Sequence, residues 1–210
     1  MNKKERWSIY IIFMCIYVFL IIFNIVNKSQ WLIDNMAAIA LLTFVFLICE
    51  WFKMEKLEFL LFNCVLLMHN LGSFGFYELN FNIVAYDDIV HLIASIIAAY
   101  IIFNFILRKI RIKRIKNSII EENKIILMFL VIASVAMFGV IVELIEYVGF
   151  MYFGPGEGIL FVGSGDSAME SVTGQYLDTM RDIIMNTIGS FIGGIIFYYK
   201  VYKKKPWLRY

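Results

Sequence analysis

The sequence predicts an all-α membrane protein, a polytopic bundle of about six transmembrane helices with both termini in the cytoplasm. Three observations predict it. The 210 residues are 61% hydrophobic and only 17% charged, with a mean hydropathy of +0.78, outside the range of soluble domains. Apolar runs long enough to cross about 30 Å of hydrocarbon recur along the whole chain. Lys and Arg fall almost entirely on one side of those runs.

The spans follow in order. The first covers residues 7–26. Its uncharged run from Trp7 to Asn27 is too long for the apolar core of a signal peptide and lacks a small-x-small cleavage site, so it reads as a retained span. The second and third, residues 34–52 and 57–76, are joined by a short turn holding Lys53 and Lys56. The fourth and fifth, residues 86–107 and 125–150, flank a basic loop, and the sixth covers residues 178–201. The expected organisation is one transmembrane domain over residues 1–210, with no internal repeat.

Charge sets the orientation. Of the 19 Lys and Arg residues, all but Lys28 and Arg181 lie at the N-terminus, in the 2–3 turn, in the 4–5 loop or in the C-terminal tail. The positive-inside rule places those segments in the cytoplasm, in the plasma or inner membrane of a cell. Basic residues confined to span flanks give no reason to expect nucleic-acid binding. The stretch from Arg108 to Lys116 alternates Ile with Lys or Arg. It reads either as orientation charge or as a patch for anionic lipid. Cys15, Cys49 and Cys64 all fall within spans and read as apolar filler, not a disulfide framework.

The opposite, outer side differs. The connection between spans 5 and 6, residues 151–177, is long and Gly-rich, carries Glu157, Asp166 and Glu170, and has no basic residue. Such a loop is a lid or slack.

Ionisable groups inside spans mark functional candidates. Helix rise places them by depth: Glu143 lies roughly 28 Å from the inner anchor Lys124, Asp182 roughly 27 Å from Lys200, His91 roughly 26 Å from Arg108 and His69 roughly 20 Å from Lys56. Four helices therefore bring acids and both histidines of the chain to the outer third of the membrane. Asp87 and Asp88 precede His91 by four and three residues, Glu143 and Glu146 are three apart, and Asp178, Asp182 and Asn186 form a stripe. The stripe continues into Gly189 and Gly193, whose spacing permits close helix contact. Clustered carboxylates need a metal ion, shared protons or Arg181 to compensate them. The expected metal ligands are His69, Asp88, His91 and Asp178, for Zn²⁺ or Mn²⁺. Glu143, Glu146 and Asp182 are the expected catalytic groups, and Asp87, Arg181 and Asn186 support them.

The stretches His69–Gly72, Phe76–Tyr77, Tyr86–His91, Glu143–Glu146 and Tyr176–Gly189 resemble the YjdF-like family of bacterial inner-membrane proteins, over spans 3 to 6. That family shows a His-x-x-Gly element, Asp-x-x-x-His, Glu-x-x-Glu and a final Asp-rich region. Residues 182–189 are also similar to the last helix of the VanZ-like family. Neither resemblance implies an established chemistry. The functional expectation is a metal-assisted hydrolase or transferase acting on a lipid-linked or cell-envelope substrate. The alternatives are a non-catalytic protein that binds lipid or a partner, and an ion-coupled transporter. Membrane lipids are the expected surroundings, and the sequence leaves the oligomeric state open.

Overall fold

The computed structural model describes residues 1–29, 31–81, 84–112, 123–153 and 172–203. Asp166, most of the Gly-rich loop, Lys113, Arg114, Lys116 and the end of the C-terminal tail lie outside the described residues.

Six α-helices occupy the described residues: α1 (Lys3–Asn27), α2 (Leu32–Ile48), α3 (Lys56–Asn70), α4 (Tyr86–Ile112), α5 (Lys124–Phe153) and α6 (Val172–Lys203). Four contain segments long and apolar enough to cross a membrane: Lys3–Asn27, Lys56–Phe74, Tyr86–Lys109 and Ile125–Val148. The apolar α2 has 17 residues and rises only about 26 Å. The expected second span ran on to Phe52, but the helix stops at Ile48 and the chain turns through Lys53 at φ 52°. The last two helices run past the expected spans, since a helix does not stop where hydrocarbon stops.

Local chemistry sets the starts. Asn2 accepts from the Glu5 backbone N–H at 2.8 Å, and Glu5 accepts from the Asn2 N–H at 3.2 Å, a reciprocal cap for α1. Glu58 closes the start of α3 in the same manner, accepting from the Glu55 N–H at 2.9 Å. Beyond α3, two short 3-10 turns meet at Gly75, whose φ of 76° favours glycine. A two-residue antiparallel ladder, β1 (Asn80–Phe81) with β2 (Val84–Ala85), then leads into α4.

Two apolar cores result. Phe13, Tyr17, Leu42, Phe59 and Leu66 fill the space among α1, α2 and α3, and Ala99, Phe103, Val131 and Val135 lie between α4 and α5. α6 packs against both α4 and α5. Outward faces are apolar instead of polar: Ile11, Phe19, Ile22, Phe129, Met137, Phe138 and Ile195 are all exposed. Surfaces of that kind suit lipid, not water.

The helix ends sort by chemistry. At one end Arg6 pairs with Glu50 at 2.6 Å, Lys56 with Glu5 at 3.4 Å and Arg108 with Glu58 at 2.7 Å. At the other, Ser73 Oγ accepts from Asn24 at 3.1 Å and from Asn35 at 3.0 Å. The histidines lie toward this second end, as the depth argument requires.

Candidate functional site: a histidine and carboxylate cluster on three helices

α4 presents Asp87, His91 and Ser95 one turn apart along a single face. α5 presents Glu143 and Glu146, and α6 presents Asp182 and Asn186. His91 is the hub. Its Nε2 lies 3.4 Å from Asp87 and 3.9 Å from Asp182, and its Nδ1 lies 3.4 Å from Glu143 and 3.1 Å from the Asn186 amide. Ser95 donates to Asn186 Oδ1 at 2.7 Å, and the Asn186 amide donates to Glu143 at 3.4 Å. Those bonds orient the asparagine between histidine and glutamate.

Glycines make the convergence possible. A Cβ on Gly139 would stand 2.8 Å from the Asn186 side chain, and one on Gly189 would stand 2.6 Å from the Leu92 carbonyl oxygen. The Gly189–Gly193 spacing therefore does what its sequence suggests: it brings α6 against α4, with the polar stripe facing protein.

Glu143 and Asp182 are each 1% exposed. One oxygen of each, Glu143 Oε2 and Asp182 Oδ2, has no hydrogen-bond partner among the described residues. Buried acceptors in that state call for a cation or a proton. Two groupings have ligand atoms within 4.8 Å of one another: Asp87, His91 and Asp182, and His91, Glu143 and Glu146. A mixed nitrogen and oxygen set of this kind suits Zn²⁺ or Mn²⁺.

The other expected residues stand elsewhere around this centre. Asp88 accepts both from the Ala85 N–H and from Arg181, so it fastens the β2–α4 junction to α6. Asp178 lies one turn before Asp182 on α6 and belongs to neither grouping. His69 points to a different set of partners. Its Nδ1 is 2.7 Å from the Tyr77 hydroxyl, its Nε2 is 3.6 Å from Asp34, and Trp31 packs edge-on against the ring. Burial, reinforced by the nearby Asp87 carboxylate, holds the Tyr77 hydroxyl well above the usual phenol range, so it keeps its proton at neutral pH. The Trp31 ring occupies the space that a Cβ on Gly72 would need, which accounts for glycine three residues after His69.

A cleft of about 240 Å³ joins the two histidines. His69, His91, Ser95, Glu146 and Asn186 line it, and the rest of its wall is apolar. Leu41 and Phe138 belong to that wall and to the exposed apolar surface, so the cleft reaches the face a bilayer would cover.

Sequence reasoning passed over Ser95, Gly139 and Asp34. Ser95 is four residues after His91 and Gly139 four before Glu143, so helical spacing was the available signal. Asp34 sat at a span boundary, where a charge draws no notice.

Fold and site define a multi-helix membrane protein with a buried histidine and carboxylate centre. The chain belongs to the family described as Predicted membrane protein (DUF2238), whose model matches residues 7–204. This is the YjdF family to which the motifs of α3 to α6 pointed. The likeness of the last helix to the VanZ-like family finds no support. No curated protein and no solved structure matches the chain.

Proposed function

We propose that the chain forms one transmembrane domain of the plasma or inner membrane, both termini cytoplasmic, and that the cluster around His91 holds one Zn²⁺ or Mn²⁺ ion. On this reading it is a metal-assisted hydrolase or transferase whose substrate is lipid-linked or part of the cell envelope. One observation carries the proposal: two metal-competent groupings share His91, and His91 and Glu146 both line a cleft that is otherwise mostly apolar. A polar group at the cluster with an apolar chain in the cleft is the arrangement a lipid-linked substrate needs.

Asp87, His91 and Asp182 would hold the ion, and Asn186, oriented by Ser95, would fix the second nitrogen of the imidazole. When bound, the ion supplies Lewis acidity and makes a bound water easier to deprotonate. Glu146 lines the cleft and would take a proton from an attacking group, while Glu143 would steady the imidazole from the far side. The apolar walls exclude competing water.

Elemental analysis of protein purified without chelator tests this. We expect near-stoichiometric Zn or Mn in the wild type, loss of the metal in His91→Gln, and retention in Glu146→Gln. Wild-type protein that contains no metal and takes up neither ion reduces the cluster to a structural polar network, and the enzyme reading falls with it.

A further inference from the structure

The cleft beside the cluster has a direction. Its wall includes Phe62, Leu66 and His69 on α3, and Ala98, Ala94 and His91 on α4. On α5 it includes Val135, Gly139, Val142 and Glu146. Each set repeats at intervals of four and three residues, so each is one face of its helix. Each also ends in its one ionisable member, so His69, His91 and Glu146 mark the same end of the cleft. Away from that end the wall is apolar. Ser95 does not break the pattern, because its hydroxyl is committed to Asn186 at 2.7 Å.

Length, width and entry follow from the same residues. The helix rise from Ala98 to His91 is about 10 Å, and from Val135 to Glu146 about 16 Å. One leaflet of a bilayer offers about 15 Å of hydrocarbon, half of its apolar core. The cleft therefore has the depth of one leaflet's chains. Its volume of about 240 Å³ falls below the roughly 300 Å³ at which ligand pockets begin, which is room for one chain and not for two. Ala94 and Ala98 form the α4 side, where any larger side chain would project into the space. Leu41 of α2 and Phe138 of α5 also line the cleft, and both are exposed. The opening is thus continuous with the apolar outer surface, and a chain enters sideways without crossing water. A water-soluble substrate would leave this wall unmatched.

We propose that the substrate is a lipid of one leaflet, that one of its hydrocarbon chains lies in this cleft with the head at His91 and Glu146, and that Ala94 and Ala98 determine which chains are admitted. The place of the head rests on the reading of the cluster as the reaction centre. The place of the chain does not, because the apolar wall alone sets it.

Photo-crosslinking tests this on the purified full chain in phosphatidylcholine nanodiscs. The probe is hexadecyl phosphate with a diazirine at mid-chain, and labelled positions are mapped by peptide mass spectrometry. In the wild type, label on residues 135–142 should saturate and be displaced by unlabelled hexadecyl phosphate. Label at the exposed Ile195, outside the cleft, should do neither. Ala94→Phe and Ala98→Phe should each lower the saturable label by about tenfold or more, since a filled cleft admits a chain only by overpacking. Leu41→Trp, at the exposed mouth, should lower it too and keeps the test decisive should the Phe variants fail to fold. Metal content, read in the same samples, should match the wild type in all three. Label on residues 135–142 that never saturates, or that stays at the wild-type level in folded Ala98→Phe and Leu41→Trp, overturns the proposal and leaves the metal reading standing. Saturable label in a wild type that holds no metal supports the chain site while the enzyme reading falls.

Discussion

Gly189→Ala should destabilise the protein, although the same change in an isolated helix is favourable. Alanine raises helix propensity by about 1 kcal/mol over glycine, so propensity alone predicts a gain. Packing opposes it. The added Cβ would stand 2.6 Å from the Leu92 carbonyl oxygen and 2.8 Å from Ser95 Cβ. A carbon needs about 3.3 Å from a carbonyl oxygen, so α6 must retreat from α4 by about 0.7 Å. A backbone carbonyl inside a helix cannot rotate away, so the helix as a whole must yield. Forced overpacking costs about 1–3 kcal/mol. Asn186 sits one turn away, and its 2.7 Å bond from Ser95 stretches with the same movement. With the strained Ser95–Asn186 bond added, the expected net loss is on the order of 1–2 kcal/mol.

Reversible unfolding in mixed detergent and dodecyl sulfate micelles measures it, with Gly194→Ala as control. At Gly194 the new Cβ meets Ile132 side-chain atoms at 2.7 and 2.9 Å but no backbone, so that variant should lose less. A Gly189→Ala protein as stable as wild type, or an equal loss in both variants, refutes the argument that this glycine sets the α4–α6 approach.

Two further predictions concern the basic end and the orientation. Arg108→Gln should cost about 3 kcal/mol or more, since it strips the fully buried Glu58 of its 2.7 Å partner. Lys109→Gln loses contacts over the Trp51 ring at 4.5 Å and the Phe105 ring at 5.4 Å, each worth about 1 kcal/mol or less at an exposed site, and equal losses in micelle unfolding would refute the distinction. In a cysteine-free background, single cysteines at Ser29 and Ser164 should react with an impermeant maleimide in intact cells, and one at Lys203 only after lysis. Labelling at 203 with protection at 164 reverses the orientation.

Depth was legible in the sequence and partnership was not. Helix rise is fixed at about 1.5 Å per residue, so counting from a basic anchor placed His91, Glu143 and Asp182 at one level before any contact was known. The two groupings around His91 use those same residues. The small-residue spacing of Gly189 and Gly193 was equally readable, because a glycine pair four apart has few other uses in an apolar helix. The basic loop was only half readable: Arg108 looks like any orientation charge, and nothing in its flanks reveals that Glu58, fifty residues earlier, is buried beneath it.

Rotation about the helix axis is where the reading ran out. Asp87 and Asp88 stand four and three residues before His91, and both spacings put a carboxylate on the histidine's side of α4. Spacing does not choose between them; the expectation here takes Asp88 as the ligand and Asp87 as its support. In space Asp87 lies 3.4 Å from the imidazole, whereas Asp88 turns to the Ala85 N–H and Arg181. The difference of 100° between neighbouring residues is decided by what the next helix offers, and that helix is ninety residues away in the chain. Arg181 is the decisive partner: it pairs with Asp88, while Asp87 stays with the histidine. Asp34 shows the same limit from the opposite direction. At the start of α2 it reads as a boundary charge, yet it is 2% exposed and lies 3.6 Å from His69, on a helix more than thirty residues later. A charge becomes a site through what surrounds it, and neighbours contributed by another helix have no periodicity by which to be seen.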